Sequence, residues 1–166
     1  MQIVKYRMEV TPRSESRILL ATSSVTTFAS CYLAAHYQLY DSLVVSTVTL
    51  VLAINYWRKP MYDWRRTLDI SNLVLCLIYQ FYQSLWIDPV LRSLYTTFLF
   101  ISGVNYTLGK TLSGRAATYS HSCMHLTGLV ANSILYTGLA KEKKLFEFHG
   151  EGRLCDREGG RPMQSL

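Results

Sequence analysis

Residues Tyr119 to Tyr136 read YSHSCMHLTGLVANSILY. Two histidines, His121 and His125, stand one helical turn apart at the head of an otherwise apolar run. Gly128 and Asn132 continue the same stripe at helical spacing. Ionisable residues beside a membrane-length apolar run are candidates for function.

Outward from this stretch, the charges are segregated. Four bases and two acids precede Ile18, namely Lys5, Arg7, Arg13, Arg17, Glu9 and Glu15. Four bases and one acid fall between Arg58 and Arg66, in WRKPMYDWRR from Trp57. Six bases and five acids follow Ala140. Long apolar stretches lie between these blocks, so the mean hydropathy of +0.12 averages two kinds of segment. A soluble domain intersperses its charges; blocks at the ends of apolar runs point to a bilayer. The net charge of +6 is explained by bases gathered at helix ends, and no nucleic-acid partner is expected.

These features predict an all-α integral membrane protein, a bundle of five transmembrane helices with polar termini. Four helices are the alternative. Residues 1–17 form a polar arm, 18–139 the helical bundle, and 140–166 a polar, irregular tail. The expected helices are Ile18–Tyr40, Leu43–Trp57, Leu68–Trp86, Arg92 or Ser93 to Gly109, and Ala117 or Thr118 to Leu139. Asp41-Ser42 is expected to make the first turn. The second helix then spans only about 22 Å against a hydrocarbon core of about 30 Å, which is why four helices stay open. Insertion is expected to use the first helix itself, since no cleavage site follows a short apolar region. The first ten residues alternate at strand period. Trp57 and Trp64 read as interfacial belt residues. Cys31, Cys76, Cys123 and Cys155 have no paired spacing and read as small hydrophobes.

With the amino terminus inside, Asn55, Asp69, Asn105, Tyr106, His121 and His125 fall at one depth. An HxxxH pair on a helix face supplies two nitrogen ligands to a metal, and Asp69 is the best-placed third, as ligand or as the group that positions a water. The same residues also have plainer roles. Histidine at headgroup level bonds its neighbours, Asp69 favours a helix N-terminus, and Asn132 bonds another helix. His36 stands at the opposite interface.

The run from Ser120 to Tyr136 resembles the final helix of the alkaline ceramidase and progestin–adipoQ receptor superfamily, which ends in an HxxxH pair. Asn55-Tyr56 followed by Leu68-Asp69-Ile70 is similar to that superfamily's earlier motif. The resemblance implies a zinc site and hydrolysis of a lipid amide or ester. The superfamily has seven helices where this chain offers five, and its third histidine falls at Trp57 here, as in a degenerate relative. The first expectation is therefore a structural or accessory subunit of a larger membrane assembly, with the bilayer and other membrane proteins as partners in a hetero-oligomer. The alternative is a metal-dependent membrane hydrolase with His121, His125 and Asp69 at its centre. A carrier ranks below both, since no internal repeat is evident. The inner mitochondrial membrane and the endoplasmic reticulum both suit such a chain.

Overall fold

The computed structural model describes residues 12–158, with side chains described as far as residue 146. The strand-like arm of residues 1–10 and the side chain of Cys155 therefore lie outside what is described. Five helices follow one another: α1 (Arg13–His36), α2 (Tyr40–Trp57), α3 (Trp64–Ser84), α4 (Pro89–Thr111) and α5 (Gly114–Glu158). No strand occurs among the described residues, and the chain is all-α.

Local chemistry sets each boundary. The α1–α2 turn falls at Tyr37–Leu39, not at the expected Asp41-Ser42. Leu39 N–H donates to Ala34 at 2.9 Å and Gln38 N–H to Ala35 at 3.0 Å, while Gln38 takes a φ of 56°. These are the bonds of a Schellman C-cap, with glutamine in the position that glycine usually fills. Leu39 packs back on Ala34, the apolar contact that accompanies the motif. Asp41 then belongs to the first turn of α2, where its charge suits the helix dipole. The helix gains three residues over the expected one.

Asp63 caps α3, accepting from the Arg65 N–H at 3.0 Å. Asp88 caps α4 through the Val90 N–H at 2.9 Å, with Pro89 in the first helical position. Gly114, at a φ of +57°, makes the left-handed residue that opens α5. That helix does not stop at Leu139. It runs to Glu158 through the expected irregular tail: Lys141 to Phe148 (KEKKLFEF) is built mostly of good helix formers, and Gly150 and Gly152 beyond it do not end the helix.

Helix α5 is the hub, packing against α1, α3 and α4, while α1 and α3 also flank α2. The α1–α5 seam is polar. Thr118 donates to Glu15 at 3.0 Å, Thr22 meets Ser122 at 3.4 Å, Asn132 donates to Ser30 at 3.2 Å, and Tyr37 meets Thr137 at 3.4 Å. The partners rise together in number along both helices, so α1 and α5 run parallel. Asn132 thus bonds another helix, as expected.

Two cores sit at opposite ends of this seam. One gathers Leu19, Ala53, Tyr56 and Trp57 near the start of α1. The other gathers Ala34, Ile87, Tyr95, Ala131, Leu135 and Tyr136 near its end. Between and beside them the buried seams are hydroxyl-rich: Ser16, Ser23, Thr26 and Ser30 on α1, Ser42 and Ser46 on α2, Thr118 and Ser122 on α5. The outward faces carry large apolar side chains instead, among them Val25 at 68%, Phe28, Val51, Leu75, Ile78 and Phe100 at 73% exposure. Among the described residues one helix, α1, is long and apolar enough to cross a membrane by length and composition.

Candidate functional site

The histidines of α5 sit at the near core. His121 and His125 are one turn apart, with ring centroids 5.1 Å from each other at 68°. Trp57, the last residue of α2, sets its indole edge-on against His121 at 5.3 Å. Tyr106 of α4 closes from its own side at 6.1 Å, and the Lys110 ammonium lies 4.3 Å over the Tyr106 ring. Three helices thus place aromatic rings around one imidazole. Close approach of α4 helps: a Cβ on Gly109 would stand 3.5 Å from the His121 amide nitrogen, in ordinary contact.

Trp57 is therefore not a belt residue. It is 7% exposed and packs on Tyr56 as well, at 4.8 Å. Trp64 and Trp86, by contrast, are exposed. A signal for Trp57 existed in the sequence: Ser42, Ser46, Ala53, Tyr56 and Trp57 lie at helical spacing on one face of α2, and all are buried.

Polar neighbours act on the backbone around the pair. Ser102 donates to the Met124 carbonyl at 3.0 Å and Ser120 to the Asn105 carbonyl at 2.8 Å. The Asn105 amide turns back to Ile101 on its own helix. Nε2 of His125 is buried with no hydrogen-bond partner. Such an orphan costs free energy unless it is replaced or satisfied.

Asp69 does not join the histidines. Among the described residues no three of histidine, cysteine, aspartate and glutamate are arranged to hold a metal ion. A catalytic zinc takes three protein ligands. Two imidazoles on α5 do not make that set, so the residues present do not fit the zinc implied by the superfamily resemblance. His36 lies apart, against Tyr32 and Tyr37 in the last turn of α1.

A second polar group, unsignalled by spacing, joins helices at the far core. The Tyr136 hydroxyl meets Ser46 at 2.9 Å, linking α5 to α2. Tyr95 of α4 is fully buried in the same core, its hydroxyl unpartnered.

Two clefts open at the near end. One, of about 260 Å³, lies between the first turn of α1 and the α2–α3 loop. Arg13, Arg17, Arg58 and Lys59 rim it, over a floor that includes Ser16, Trp57, Pro60 and Met61. The other, of about 180 Å³, lies between α1 and α5 beside Glu15 and Arg115. No family model, curated protein or solved structure matches the chain.

Proposed function

We propose that the chain is a five-span membrane bundle that serves as an accessory subunit of a larger membrane assembly. The observation that carries the reading is the inverted distribution of side chains. Hydroxyls and small residues fill the helix seams, while Val25, Phe28, Val51, Leu75, Ile78 and Phe100 face outward from four helices. Water would penalise that surface; hydrocarbon accepts it, and small residues permit the close helix packing that membranes favour.

Helix lengths agree. The shortest, α2, has 18 residues and reaches about 27 Å, and the 24 residues of α1 reach about 36 Å. These bracket a hydrocarbon core of about 30 Å. The parallel run of α1 and α5 matches an odd number of crossings between them. Bases at Arg13, Arg17, Arg58, Lys59, Lys110 and Arg115 then share the inner side.

The accessory role draws on α5. The helix continues beyond Ala140, the last of its residues that is buried among those described, to Glu158. Most helical stability comes from packing of a face and not from propensity, so a long polar continuation of this kind suits docking on a partner. The test is gentle extraction followed by mass measurement. A hetero-oligomer, lost when the chain is cut after Ala140, is the expected result. A stable lone monomer in detergent overturns the accessory role.

A further inference from the structure

The basic cleft at the start of α1 has no role in the bundle just proposed. Its four cations come from two separate segments, Arg13 and Arg17 from α1 and Arg58 and Lys59 from the start of the α2–α3 loop. All four are exposed, and among the described residues none is in an ion pair. The nearby acids are engaged elsewhere. Glu15 accepts from Thr118, and Asp63 is held by the Arg65 guanidinium at 2.7 Å. The positive end of the α1 dipole adds to the field, and Pro12 supplies no side-chain cap to the helix.

Four unpaired cations at one rim repel each other unless an anion sits among them. The floor tells what kind. Trp57, Pro60 and Met61 are buried there, with Leu20 beside them, so the cleft is charged at its lip and apolar below. Below the lip α1 and α2 turn exposed apolar residues outward, including Ile18, Val25, Val51 and Ile54. An anionic head joined to hydrocarbon chains matches both parts.

We propose that this cleft binds the phosphate headgroup of an anionic phospholipid, with Arg13, Arg17, Arg58 and Lys59 around the phosphate and the acyl chains along α1 and α2. Basic pockets between membrane helices take such headgroups. The site rests on the membrane reading above, and its test separates the two. The full-length protein is first partitioned between a detergent-rich and an aqueous phase. Recovery in the aqueous phase overturns the membrane reading, and with it the lipid site. Recovery in detergent sends the protein to titration with phosphatidic acid and with phosphatidylcholine of the same chains, read by native mass spectrometry.

Phosphatidic acid is expected to bind at least about tenfold more tightly than phosphatidylcholine. The Arg17→Gln/Arg58→Gln pair is expected to weaken phosphatidic acid about thirtyfold, at about 1 kcal/mol per charge. Removing as much charge elsewhere, with Arg92→Gln/Lys141→Gln, should leave binding unchanged. Equal affinity for the two lipids overturns the cleft, and so does an equal loss in the control pair. Inorganic phosphate that competes as well as the lipid shows a free-anion site and overturns the lipid assignment. Circular dichroism checks that the variants fold, and the lipid preference of the unaltered protein decides the matter even where one does not.

Discussion

The two ends of α5 solve the same packing problem differently. At the far end, Tyr136 is fully buried, its hydroxyl meets Ser46, and Ile87 seals the core from the α3–α4 loop. At the near end, rings surround His121, but Nε2 of His125 has no partner, and the basic cleft opens beside Trp57. The far end is tied down by a buried interhelical hydrogen bond and close contact, although the Tyr95 hydroxyl in that core has no partner. The near end adds aromatic contact to its bonds between Thr118 and Glu15, Thr22 and Ser122, and Ser120 and Asn105. It leaves the His125 nitrogen and the cations of the cleft unpaired. Stability should therefore concentrate at the far end, and interaction with other molecules at the near end.

The comparison breaks first at Tyr136. Truncation by Tyr136→Ala is expected to cost about 3 kcal/mol or more in unfolding measured by circular dichroism in detergent, because the cavity sits where three helices meet. A cost below about 1 kcal/mol would remove the far end as the anchor. Next comes Gly138, where a Cβ would already stand 3.0 Å from Ile87. Gly138→Val is expected to cost about 1–3 kcal/mol by overpacking, read as a lower midpoint in the same unfolding measurement.

Gln38→Gly works in the opposite direction at that end. Glycine takes the left-handed φ without penalty, so a gain of about 1 kcal/mol is expected in thermal unfolding. His125→Leu sharpens the contrast at the near end. It removes an unpartnered nitrogen, so a change within about 1 kcal/mol, or a gain, is expected where a bonded histidine would show a clear loss.

The smallest effect is electrostatic and lies in the α2–α3 loop. Arg65 holds the Asp63 carboxyl below its ordinary value by hydrogen bonds from its side chain and amide. A depressed carboxyl adds stability above its unfolded pKa and loses it as pH falls through the folded value. The midpoint difference between the protein and Asp63→Asn should therefore be present near neutrality and shrink on acidification below about pH 4. A difference that does not change with pH would show that capping alone, and not charge, is at work.

Much of this was legible without coordinates. Apolar runs at helical spacing set the number of helices, and the polar cost of Asn132 announced an interhelical bond, but α4 begins at Pro89, capped by Asp88, and not at the expected Arg92 or Ser93. The turn at Gln38 was not legible, because glutamine carries no glycine-like signal and only the Schellman bonds place it there. The length of α5 was hidden by its polar composition, which reads as tail or as helix equally well.

At the site, spacing correctly set His121 beside His125, since i and i+4 share a face whatever surrounds the helix. Spacing does not state which side chain from another helix meets that face. The sequence by itself determined an all-helical chain with segregated charge and two histidines on one stripe, because those follow from local periodicity. Only the tertiary structure decided that Trp57 and Tyr106, and not Asp69, meet His121, and that bases from α1 and the α2–α3 loop share one cleft. Those contacts depend on helix rotation and pairing, and these are fixed by packing between segments far apart in sequence.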